Sequence, residues 1–201
     1  MKRRPSKPAG AGKRSAESPK LAGRAIFLVG FMGAGKTTVG QVLARRLNRA
    51  FEDLDDRIEL REGRTVAEIF RHSGEAGFRR AERAALQQAL QEARDGSAKV
   101  IALGGGAFVQ PGNAARLKAA GVPTVFLDAP VVELWQRCQK QASELDAERP
   151  LLATRERFDE LYQSRLGSYL KAALRVDTSG LSVQEVAEQI VEVLDLKEER
   201  P

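Results

Sequence analysis

The stretch Gly30–Thr37, GFMGAGKT, fits the spacing G-x-x-x-x-G-K-[ST] of a phosphate-binding loop. Its glycines let the backbone wrap closely around phosphate oxygens, so that successive N–H groups converge on one anion. Lys36 is placed to reach the β- and γ-phosphates of ATP, and the Thr37 hydroxyl to bind Mg²⁺. The expected nucleotide contacts are therefore Gly33, Ala34, Gly35, Lys36, Thr37 and Thr38. A glycine-rich turn that happens to end in Lys-Thr is the competing reading, and the flanking sequence weighs against it. Ala25–Val29 (AIFLV) is an apolar run of the buried-strand type. From Lys36 to about Leu47, Val39, Val42, Leu43 and Leu47 are spaced for one buried helix face. Such a motif identifies a triphosphate and says nothing of the acceptor.

A second group of reactive residues is Asp53, Asp55 and Asp56, in an acidic turn after the short strand-like Ala50–Phe51. Phosphotransferases of this kind need a carboxylate near the metal, and the i, i+2 spacing lets Asp53 and Asp55 serve different sides of a turn. Three acids in a turn are also ordinary solvated turn chemistry. What favours the functional reading is that both loops would open at the same edge of a sheet.

The elements that must position these residues are legible as an alternation. Thr65 and Glu68 have the spacing of a capping box and predict a helix start at Val66. A helical pattern runs from about Gly77 to Ala93, followed by a strand at Val100–Leu103 that breaks at Gly104, Gly105 and Gly106. Thr124–Leu127 is a fourth strand, with a helix through Val132 and Trp135 after it. Leu174–Val176 is a fifth, and Val183–Leu194 a closing amphipathic helix. Strand and helix in alternation imply an α/β fold, a five-stranded parallel sheet between helical layers, because parallel strands need crossover connections. Ligands in such sheets bind at the carboxyl ends of the strands, where the loops after the first three strands all fall.

With 201 residues and 42% of them hydrophobic, the chain suits one domain with a real core. No stretch is apolar enough for a membrane span, and no secretory signal pattern opens the chain. One cysteine, Cys138, excludes an internal disulfide, and one histidine, His72, leaves little for a zinc site. Both are read as structural or incidental. A soluble cytoplasmic protein is the expectation.

The net charge of +6 resides wholly in residues 1–23, where Lys2, Arg3, Arg4, Lys7, Lys13, Arg14 and Lys20 face one Glu17. Their Pro, Gly, Ser and Lys content predicts a disordered basic tail. A nucleic-acid arm would interleave aromatics with the charges, and a plastid transit peptide would be longer and poorer in lysine and proline. Residues 24–196 form the expected domain and 197–201 a charged end.

Several segments, in order, resemble the shikimate kinases: Phe51–Asp55 (FEDLD), Gly63–Phe70 (GRTVAEIF), Gly74–Arg79 (GEAGFR), Gly104–Ala107 (GGGA) and Arg149–Leu152 (RPLL). The resemblance runs from about Arg24 to Leu194 and implies a three-layer P-loop kinase with a mobile lid over residues 139–154. It implies that Asp53 joins Thr37 in holding Mg²⁺. Asp55 would bind the acceptor's hydroxyls and act as base or orient the attacking oxygen. Arg79 and Arg165 would grip a carboxylate, and Gly104, Gly105 and Gly106 would approach the ring. Arg149 would carry positive charge to the transferring phosphate, joining Lys36 and Asp55 as catalytic residues, and Arg137 would approach the adenine. Guanidinium forks match carboxylates bidentately, which agrees with a hydroxylated carboxylic acid as acceptor. The stretch between Arg137 and Arg149 is longer than in typical members, and Gly167 stands where the family has proline. The implied reaction takes ATP and shikimate to ADP and shikimate 3-phosphate, in a monomer without nucleic-acid or membrane partners. A gluconate kinase and a ligand-sensing module on the same fold are the other readings.

Overall fold

The computed structural model describes residues 24–145 and 154–196. The basic tail, the end at 197–201 and Arg149 lie outside them. Five strands form one parallel sheet: β1 (Ile26–Val29), β2 (Ala50–Asp53), β3 (Lys99–Ala102), β4 (Thr124–Asp128) and β5 (Leu174–Asp177), in the order β2-β3-β1-β4-β5. Every residue of β1 and β4 is buried, which is why both read as continuous apolar runs.

Between and after the strands come α1 (Lys36–Arg46), α2 (Leu54–Glu62), α3 (Val66–Arg94), α4 (Asn113–Ala119), α5 (Val131–Leu145), α6 (Arg155–Tyr169) and α7 (Val183–Val193). Helices α1 and α7 pack together, as do α2 with α3 and α5 with α6. The core includes Phe27, Leu28, Leu43, Ile101, Phe126 and Ile190, all essentially inaccessible.

Register brings the reactive loops together. Leu28 aligns with Ala102 and Ala102 with Asp53, so the strand ends at Val29, Asp53 and Ala102 share one edge. The chain leaving β1 goes to β2, beyond β3, while the chain leaving β3 goes to β4, beyond β1. This is the topological switch point at which α/β sheets open a crevice.

Two expectations need correction. Asp55 and Asp56 lie in the first turn of α2, not in a turn; Asp53 ends β2 and caps that helix by accepting from the Asp55 N–H at 3.1 Å. The capping box starts a helix at Val66, and Gly74, whose φ of 62° only glycine adopts readily, separates it from the helix expected from about Gly77, so that α3 is two helices joined across a kink. Residues 139–145, assigned to the lid, are the last turns of α5. Trp135 of α5 meets Phe158 of α6 edge to face at 5.1 Å.

Candidate active site

The phosphate loop spans the turn from β1 into α1. Gly35 at the N-cap has no side chain to cap α1, and the first turn holds no acid, so the leading N–H groups and the positive end of the dipole suit an anion. Lys36 Nζ donates to the carbonyls of Gly30 at 3.1 Å and Phe31 at 3.0 Å. Burial pulls the Lys36 ammonium below the usual lysine range, while Asp53 and Asp55 oppose that shift. Beside the loop lies a cavity of about 460 Å³, lined by Gly35, Thr38, Arg137, Lys140, Thr178 and Val183 among others. Arg137 donates to Glu133 at 2.9 Å and reaches Thr178 at 3.4 Å, so it forms one wall of this cavity.

Thr37 Oγ1 donates to Asp53 Oδ2 at 3.0 Å. A hydroxyl and a carboxylate side by side at the loop are hard oxygen donors, the kind that Mg²⁺ takes one or two at a time while phosphates and water complete its shell. These residues fit that ion.

The triple glycine after β3 is where the expected acceptor residues meet. A β-carbon on Gly104 would lie 2.8 Å from Asp55 Oδ1, one on Gly105 3.7 Å from Arg165 Nη1, and one on Gly106 2.7 Å from Arg79 Nη1. Three side chains from α2, α3 and α6 thus face one stretch of bare backbone. Arg165 Nη1 donates to the Gly105 carbonyl at 3.3 Å, and the Tyr169 hydroxyl donates to the same oxygen.

Asp55 Oδ1 is buried and has no hydrogen-bond partner among the described residues. Burial, reinforced by Asp53 and Glu82 and opposed by Lys36, pushes its carboxyl up to about 6. An unpartnered acceptor facing the bare backbone of Gly104 suits a group that takes a hydrogen bond or a proton from a ligand.

Arg79 is held by a residue the sequence reading missed. Glu82, 1% exposed, accepts from Arg79 Nη1 at 3.1 and 3.0 Å, and Glu75 adds a contact at 3.2 Å. The i, i+3 spacing of Arg79 and Glu82 on α3 was the available signal. Helix α6 continues through Gly167 to Tyr169, so glycine in place of proline leaves the element carrying Arg165 intact. His72 Nδ1 lies 2.8 Å from the Glu68 carbonyl, and Cys138 is buried on α5.

Known proteins resemble this chain in sequence and fold. A family model described as shikimate kinase matches residues 32–195. The shikimate kinase of Bordetella pertussis is 41% identical over 179 residues, covering 87% of this chain and 80% of that protein. That of Persephonella marina is 37% identical over 170 residues, covering 84% and 97%. Among solved structures, shikimate kinase from Acinetobacter baumannii in complex with shikimate superposes with a TM-score of 0.74 at 35% identity, over 85% of this chain and 92% of that one. With the family model matching residues 32–195 and relatives alike over most of both chains, the chain belongs to the shikimate kinase family.

Proposed function

We propose that the chain transfers the γ-phosphate of ATP to a hydroxyl of shikimate, giving ADP and shikimate 3-phosphate. The observation that carries this reading is the facing of Asp55, Arg165 and Arg79 onto Gly104, Gly105 and Gly106, beside the phosphate loop. Two guanidiniums suit the acceptor's carboxylate, the carboxylate of Asp55 suits its hydroxyls, and the bare backbone leaves room for the ring.

The N–H groups of residues 33–38 and the Lys36 ammonium bind the phosphates in line with the acceptor oxygen. Asp55 accepts the hydroxyl proton as that oxygen bonds to the γ-phosphorus and the bond to the ADP oxygen breaks. A carboxyl near 6 holds such a proton without trapping it at neutral pH. Mg²⁺ would sit at Thr37 and Asp53 and, when bound, neutralise charge on the β- and γ-phosphates. The charge assigned to Arg149 rests on the resemblance alone. Arg137 suits the nucleotide's base, since it walls the cavity beside the loop. A monomer acting in the cytoplasm, without nucleic-acid or membrane partners, completes the reading; no helix among the described residues is long and apolar enough to cross a membrane.

The test is coupled ADP release with ATP and Mg²⁺, comparing shikimate, gluconate and no acceptor. Release dependent on shikimate alone is expected. Release with gluconate alone, or no acceptor-dependent release, contradicts the proposal.

A further inference from the structure

Phe31 is the second residue of the phosphate loop, and its two halves face different sites. Its carbonyl accepts from Lys36 Nζ at 3.0 Å, on the nucleotide side. Its ring, with no exposed surface, points the other way into α6, meeting Phe158 edge to face at 5.0 Å and Tyr162 at 5.5 Å. Tyr162 is itself fixed, donating to the buried Asp128 at the end of β4 at 3.1 Å. Over the Phe31 ring lies the Arg165 guanidinium, its Cζ 5.7 Å from the ring centroid.

The helix before the expected lid bears on the same loop. A β-carbon on Gly33 would stand 2.6 Å from the Leu134 carbonyl and 2.8 Å from Cys138 Sγ, so α5 rests directly on the loop backbone. Trp135 of α5 extends the aromatic contact through Phe158. The loop is therefore gripped by α5 at Gly33 and by α6 at Phe31.

We propose that Phe31 is a positioning residue for the acceptor: its ring seats the Arg165 guanidinium and docks α6 on the phosphate loop, so that Arg165 is aimed at the acceptor's carboxylate. This rests on the reading of Arg165 as a carboxylate ligand. The ring face attracts the cation, and a hydrogen bond to the Gly105 carbonyl helps fix its remaining freedom. Arg165 binds the substrate and Phe31 does not touch it.

Phe31→Leu keeps the slot apolar and removes the ring face. Kinetics by ADP release should show the KM for shikimate raised by roughly fivefold, the size of one cation–π contact, with kcat and the KM for ATP within about twofold of wild type. In an Arg165→Gln background the same substitution should lower kcat/KM for shikimate by less than about twofold, because two residues acting as one unit are not additive. Thermal unfolding checks the fold, and Phe31→Met, which refills the slot with a flexible chain, serves if the leucine variant does not fold. An unchanged KM for shikimate, an equal rise in the KM for ATP, or losses that multiply in the double variant would overturn the proposal. A wild-type enzyme without shikimate-dependent turnover would instead remove the underlying function, a separate and distinguishable failure.

Discussion

The Arg79 guanidinium lies so close to the backbone of Gly106 that a β-carbon there would stand 2.7 Å from Nη1. Contact this tight means that the glycine is reserved for the arginine. The atom in the way is the tip of a long side chain, so Gly106→Ala would displace Arg79 and leave the fold intact. Acceptor binding should fall, with KM for shikimate up by about tenfold or more, the worth of a charged hydrogen bond. The KM for ATP and the melting temperature should change little. Steady-state kinetics with each substrate varied in turn checks the split.

Glu82 gives Arg79 its direction. Burial raises the Glu82 carboxyl above its usual range, and the pull of Arg79 only partly offsets this. Glu82→Gln keeps the shape and removes the charge that orients the guanidinium. The expected result is a drop of about tenfold in kcat/KM for shikimate, with ATP binding by calorimetry unchanged.

Asp55 is held at a cost to the fold. Its folded value of about 6 lies above the ordinary 3.8, so between those pH values the native chain keeps a proton that the unfolded chain has released. Stability contributed by this group therefore falls as pH rises from 3.8 to about 6, and the deficit stays above that. Asp55→Asn should be more stable than wild type at pH 7.5 by on the order of 2 kcal/mol and equal to it near pH 3.5, in denaturant unfolding without added metal. Its turnover should fall by about 100-fold or more, the worth of a positioned base.

An ionic cluster away from the reacting groups steadies the acidic segment. Arg57 of α2 donates to Glu52 of β2 and to Glu92 of α3 at 2.7 Å, and Lys99 of β3 reaches both acids at 3.0 Å. Hydrogen bonding from Arg57 takes Glu92 from 4.5 down to about 2, so its contribution is present above pH 4.5 and is lost as pH falls toward 2. Arg57→Met should lower stability by on the order of 2 kcal/mol at pH 7, because Glu52 is left half-buried and short of a partner. The difference from wild type should shrink between pH 4.5 and 2, which urea unfolding at several pH values would record.

Legibility in the sequence followed how local the physics was. The turn from β1 into α1 is specified within the residues that build it, by a buried run, a glycine loop and a helical stripe. The capping box at Thr65 and Glu68 is equally local, and it starts α3 where expected. Helix α2 escaped because only Leu54 and Ile58 are buried on it, so its Asp-rich start reads as a turn. Helix α4 escaped for the same reason, since Leu117 is its one buried large apolar residue. In the site, Asp55 stands out by its i, i+2 spacing to Asp53, and Arg79 and Arg165 by a family resemblance, but their pairing with successive glycines depends on sheet register and on three helices. Glu82 was invisible because a buried acid on a charged helix looks like any surface glutamate until its neighbours are known.

The most direct measurement is kcat/KM by ADP release for shikimate and for its methyl ester, which keeps the ring and hydroxyls and removes the negative charge. If Arg79 and Arg165 grip the carboxylate, the ester should be at least about 100-fold poorer, the loss of two charged hydrogen bonds. Equal values for acid and ester would mean that the two arginines do not read the acceptor, and the site drawn around Gly104, Gly105 and Gly106 would be wrong.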